Sequence, residues 1–80
     1  MLMNFAVYTR TGCPYCTKVV QLMQRAEQKH VVYKLGREFQ RDDFYAEFGK
    51  GSTFPQIILD GEKLGGCMET AQYLRENKLV

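Results

Sequence analysis

Eighty residues with 45% hydrophobic side chains suffice for one domain, 1–80, and are too apolar for a disordered chain. A net charge of +2 is too small to argue for nucleic acid, and no apolar run nears the roughly 20 residues that cross a bilayer. Three cysteines are an odd number, which argues against a disulfide framework. Met1 to Tyr8 lack a basic n-region and a cleavage site, so we expect a soluble cytoplasmic chain with neither nucleic-acid nor membrane partners.

Asn4 to Thr9 reads as a first strand, with the apolar run Phe5-Ala6-Val7-Tyr8. Thr11-Gly12 is a loop, and a helix is predicted from Pro14 to Gln28, where Cys16, Val19, Val20, Met23 and Ala26 recur at helical spacing. Pro14 suits the first helical position. Val31 to Leu35 reads as a second strand, completing a parallel βαβ unit. Arg41 to Phe48 is a short helix ended by Gly49. Gln56 to Leu59 is a third strand, Asp60-Gly61 a hairpin turn, and Glu62 to Leu64 the returning strand. Gly65-Gly66 breaks the pattern before a last helix, Met68 to Asn77, with Ala71 and Leu74 facing inward. The order β-α-β-α-β-β-α makes a compact α/β domain.

The chemistry concentrates at Cys13-Pro14-Tyr15-Cys16. Two cysteines at this spacing can close a disulfide within one turn, and a strand-to-helix junction points to thiol–disulfide exchange. Cys13 takes the cap position, where unpaired N–H groups and the helix dipole stabilise a negative sulfur; it is the expected solvent-exposed nucleophile. Cys16 lies one turn on, on the core face, and is the expected resolving thiol. Residues 1–36 carry five bases and one acid, the remainder six bases and eight acids. The positive excess therefore flanks the cysteines, where Arg10 and Lys18 are near enough in sequence to favour a thiolate or an anionic substrate. A zinc site is the weaker reading, since Cys67 and His30 are the only further ligands of the usual type besides carboxylates, and we expect no metal. Phe54-Pro55 places a proline at a strand's first residue or in a loop, cis if it exposes backbone to a peptide. Gly65-Gly66 is either a simple breaker or a close approach for a ligand at a helix N-terminus.

Together and in this order, these sites resemble the glutaredoxin family over essentially the whole chain. Cys13-Pro14-Tyr15-Cys16 is its dithiol active-site sequence, Thr53-Phe54-Pro55 resembles its Thr-Val-Pro, and Gly65-Gly66-Cys67-Met68-Glu69 its Gly-Gly-x-x-Asp. The resemblance implies a thioredoxin-like fold, a four-stranded mixed sheet flanked by three helices. It also implies a cis Pro55, a redox-active Cys13–Cys16 disulfide, no bound cofactor and glutathione as the electron-donating co-substrate. By the same analogy Phe54 pairs through its backbone with the cysteinyl unit, Thr53 and Tyr15 line the groove, and Arg10 favours the thiolate or the glycine carboxylate. The turn Gly66, Cys67, Met68, Glu69 receives the γ-glutamyl end. Phe54 departs from the usual valine, Met68 from a hydroxyl or acidic residue, and Glu69 from aspartate.

The resulting expectation is a monomeric glutathione-dependent oxidoreductase that reduces protein disulfides and glutathione mixed disulfides. Ribonucleotide reductase is a candidate client by family analogy. Two alternatives are a glutaredoxin-like redoxin served by thioredoxin reductase and, in another class, an iron–sulfur carrier, against which Pro14 argues. Cys67 is read first as a small apolar residue opening a helix, rather than as a redox site of its own. His30 is read as a surface residue opening a strand, with no role.

Overall fold

The computed structural model describes residues 4–80. Its elements follow the expected order: β1 (Phe5–Thr9), α1 (Pro14–Arg25), β2 (His30–Lys34), α2 (Arg41–Phe48), β3 (Gln56–Leu59), β4 (Glu62–Gly65) and α3 (Cys67–Glu76). The strands form one mixed sheet, ordered β2-β1-β3-β4. β1 pairs parallel with β2 from Phe5↔His30 to Thr9↔Lys34, and antiparallel with β3 from Phe5↔Leu59 to Tyr8↔Gln56. β3 and β4 are antiparallel. Their turn places Asp60 and Gly61 at φ 48° and 89°, the paired left-handed geometry that an Asp-Gly turn favours.

Strand alternation sorts the core. Phe5, Val7 and Thr9 are buried on one face of β1, and Ile57 and Leu59 on the matching face of β3. Against them pack Val19 and Met23 of α1 and Leu74 of α3, a mainly aliphatic cluster whose one buried aromatic ring among the described residues is Phe5, with Tyr73 packed against it. Each such side chain removed from water contributes roughly 1.5–3 kcal/mol. On the opposite face Tyr8 meets Tyr33 at 5.2 Å, Phe39 at 5.2 Å and Phe48 of α2 at 5.0 Å between ring centroids. The sheet is thus lined mainly with aliphatic side chains on one side and with a cluster of aromatic rings on the other.

Several element ends differ from the sequence reading, for local reasons. α1 stops at Arg25 rather than Gln28, because Glu27 takes a left-handed φ of 55°. The Gln28 N–H then returns to the Met23 carbonyl at 3.0 Å. β2 begins at His30 and ends at Lys34, and Leu35 beyond it makes an isolated bridge to Phe39. His30 is therefore a half-buried strand residue, its Nδ1 2.9 Å from the Gln28 carbonyl oxygen. In α3, Thr70 rather than Ala71 joins Leu74 in full burial. Among the described residues no helix is long and apolar enough to cross a membrane.

Candidate active site

The turn leaving β1 delivers Cys13 to the cap of α1 in an extended conformation, with Pro14 opening the helix. The Cys13 carbonyl accepts the first helical bond, from the Thr17 N–H at 3.2 Å. The Cys13 sulfur accepts from the Cys16 N–H at 3.2 Å. Sulfur thus takes the place of the oxygen that usually caps a helix. No acidic residue stands in the first turn of α1, so the positive end of the helix faces this sulfur unopposed by its own side chains.

Cys13 and Cys16 are joined in a disulfide. Cys16 is buried as expected, at 4% exposure, but Cys13 is buried too, at 7%. The expectation of an exposed Cys13 does not describe this oxidised state, in which the bond folds its sulfur back over the first turn. Arg10, three residues earlier, is exposed and donates from Nη1 to the Thr11 carbonyl at 3.1 Å. Its guanidinium lies 6.0 Å above the Phe54 ring.

Beside the disulfide runs a groove of about 280 Å³. One wall is Tyr15 on the first turn of α1; another is the segment Thr53, Phe54 and Pro55 preceding β3. Gly66, Cys67, Met68 and Glu69 at the start of α3 close it. Three segments distant in sequence therefore meet at one place, and they contain the groove residues singled out above except Arg10. The Phe54–Pro55 peptide bond is cis. Among the described residues the Phe54 N–H meets no hydrogen-bond partner. Tyr15 and Met68 stand out at the rim, 57% and 78% exposed, and the Lys18 ammonium sits 5.7 Å above the Tyr15 ring.

At the other end of the groove Glu69 turns back on its own helix, accepting the Gly66 N–H at Oε1 over 2.9 Å. This close approach accounts for the glycine before it. Gly65 has φ +113°, and a Cβ there would lie 3.0 Å from Glu69 Cγ. Cys67 is a free, partly buried thiol. Burial pushes its pKa up and the nearby Glu69 adds to the rise, while Lys18 opposes it.

Arg10 lines a second hollow, of about 470 Å³, with both cysteines, Thr17, Gln21 and Lys34. Sequence reading missed this hollow. Lys34 reaches it because the parallel register sets Thr9 opposite Lys34, a pairing that no local pattern announces. Among the described residues no group of three or more His, Cys, Asp or Glu side chains could hold a metal ion.

A cysteine pair at the start of the first helix, on a sheet of this topology, defines a thiol–disulfide oxidoreductase of the thioredoxin-like fold. The glutaredoxin family model matches residues 5–64, and the chain belongs to the glutaredoxin family. A glutaredoxin of Vernicia fordii is 34% identical over 80 residues, covering 96% of this chain and 77% of that one. The crystal structure of glutaredoxin 1 from Francisella tularensis, complexed with cacodylate, superposes with a TM-score of 0.78 at 31% identity, covering 96% of both chains. A buckwheat glutaredoxin–glutathione complex shares the fold, with a TM-score of 0.72 at 24% identity over 94% of this chain and 71% of that one. As in that family, the redox-active pair is Cys13 and Cys16.

Proposed function

We propose that the electron donor is glutathione, bound in the groove between Tyr15, Phe54–Pro55 and the start of α3. The observation that carries this reading is the convergence of those three segments beside the disulfide. A cysteinyl peptide laid in the groove meets the Phe54 N–H, which has no partner among the described residues. A carboxylate at its far end meets the N-terminus of α3, where first-turn N–H groups lack helical partners. The buckwheat protein's complex with glutathione supports the choice of ligand.

The reaction then runs in balanced steps. The Cys13 thiolate attacks a client disulfide, forming one S–S bond as another breaks and releasing the first client thiolate. Cys16, as thiolate, attacks the Cys13 sulfur, freeing the second client thiol and closing Cys13–Cys16. One glutathione thiolate opens that disulfide at Cys13, and a second attacks the glutathione sulfur, yielding glutathione disulfide and the reduced pair. Two electrons pass from two glutathiones to one client. For a glutathionylated client, Cys13 alone suffices. Family potentials of roughly −200 to −230 mV suit a glutathione pool. On this reading the clients are protein disulfides, ribonucleotide reductase being the one that family analogy names, and the setting is a monomer in the reducing cytoplasm.

The test is turnover of a small glutathione mixed disulfide with glutathione, glutathione reductase and NADPH. Saturable, Cys13-dependent turnover is the expected result. Little turnover, with the Cys13–Cys16 disulfide reduced instead by thioredoxin reductase, means that the fold has been given a different donor.

A further inference from the structure

Among the described residues, the loop that carries Phe54 is tied on either side of Phe54 rather than at its backbone N–H. Ser52 ties its start, donating from Oγ to the Phe48 carbonyl at 2.7 Å, and the Gln56 side chain donates to the Thr53 carbonyl at 3.0 Å. Phe54 belongs to no strand, and among the described residues its N–H has no partner. Its ring is differently placed. It stacks on Phe44 of α2 with centroids 4.0 Å apart and planes 12° from parallel, the closest ring pair among the described residues. Phe39 stacks at 6.2 Å and 25° on the same ring, and the Arg10 guanidinium lies 6.0 Å from its centroid. Phe44 is itself fully buried and fixed by Phe48 at 5.0 Å and Tyr45 at 5.8 Å.

We propose that Phe44 is a positioning residue for the groove: by stacking on Phe54 it holds the backbone beside Pro55 where a cysteinyl peptide must pair with it. α2 lines neither the groove nor the second hollow, yet it sets how well substrate is held. The device is specific to a phenylalanine at position 54, because an aliphatic side chain has no flat face to register against Phe44. Groove binding should then depend on α2 while thiol chemistry does not. This rests on the reading of the groove as a peptide-thiol site.

The experiment is a double-mutant cycle of Phe44→Leu and Phe54→Leu, which remove the stack from its buried and its looser side while keeping apolar bulk. Far-UV circular dichroism establishes folding, and Phe44→Met, which also lacks a flat face and lies outside the groove, takes the place of Phe44→Leu in the cycle if that variant fails to fold. The readouts are KM and kcat for a glutathionylated cysteine peptide, and the rate of Cys13 alkylation by iodoacetamide, which needs no groove. Each single variant is expected to raise KM about fivefold, the worth of one aromatic pair. The double variant should do no worse than either single one, because the cycle is coupled. Alkylation should stay within about twofold of wild type, since the helix start that sets the thiolate is untouched. Additive KM effects, unchanged KM, or a KM change matched by equal changes in kcat and alkylation each overturn the proposal. Should wild-type protein fail to saturate with the glutathionylated peptide, the glutathione reading fails instead. The same KM series on a cystine-bridged peptide then decides whether Phe44 positions the groove.

Discussion

Two helices begin beside the same groove, and they begin differently. α1 is capped by a sulfur, with the Cys16 N–H donating to Cys13 and no carboxylate in its first turn. α3 is capped by its own acid, Glu69, which takes the Gly66 N–H. Both present the positive end of a helix dipole, but only the first leaves it unshared. An N-terminus free of acids can stabilise a thiolate; one that already holds a carboxylate gains a firm start and less attraction for a second anion. Glu69 is also one methylene longer than the family's aspartate, and its Cγ lies where a Cβ on Gly65 would stand only 3.0 Å away.

Exchanging Cys13 itself breaks the comparison most severely. Cys13→Ser should abolish turnover on every disulfide, because serine supplies no thiolate at neutral pH. Cys16→Ser should keep turnover of a glutathionylated peptide and lose most of its rate on intramolecular protein disulfides, which need the resolving thiol. The two substrates assayed side by side separate the roles. A Cys16→Ser protein inactive on both would reassign Cys16 from resolving partner to support for the helix start.

The effect at α3 should be smaller and should divide in two. Glu69→Ala removes both the cap and the charge, and should lower stability in urea unfolding by about 1 kcal/mol, the usual worth of a capping contact. Glu69→Gln keeps an oxygen for the Gly66 N–H, so its stability should stay near wild type. Its KM for a glutathionylated substrate then isolates the charge. If Glu69 faces the γ-glutamyl ammonium, KM rises about threefold, a modest charge-assisted contact at an exposed site. A fall in KM would mean that the carboxylate mainly repels the ligand, and that α3 binds best when its N-terminus resembles that of α1.

The difference between the two helix starts was only half legible in the sequence. Cys13-Pro14-Tyr15-Cys16 carries its geometry locally: strand, turn, cap and first helical turn are neighbours, so spacing alone locates the disulfide. The individual strands followed from similar signals, down to the Asp60-Gly61 turn, while the mixed sheet came from the family resemblance and its order from the fold. At α3 the glycines could be read as a breaker or as a ligand's approach. What decides their conformation is the Glu69 side chain folded against Gly65, a contact that no composition rule contains. Phe44 lies in the predicted helix from Arg41 to Phe48, but nothing local marks it as the partner of Phe54, since ten residues and a change of direction separate them. The hollow holding Lys34 was hidden for the same reason, arising from strand register rather than from sequence proximity. Local signals name the reacting atoms, and tertiary contacts decide what stands around them.

The smallest expected effect compares cysteine with cysteine. Cys67 opens α3 much as Cys13 caps α1, yet burial pushes its pKa up, Glu69 adds to the rise and Lys18 opposes it. A raised pKa keeps the thiol protonated through neutral pH and delays the reactive thiolate to more alkaline pH than an ordinary cysteine requires. In fully reduced protein pulsed with iodoacetamide across a pH series and read by mass spectrometry, Cys13 should therefore label at lower pH than Cys67. Glu69→Gln removes a group that raises the Cys67 pKa and should move its profile slightly toward acid; Lys18→Gln removes one that lowers it and should move it toward base. Opposite shifts from these two variants would show that the environment around α3, rather than a helix start as such, keeps Cys67 quiet. If Cys67 instead labels together with Cys13 and ignores both variants, helix position alone governs both thiols, and the contrast between the two N-termini loses its chemical meaning.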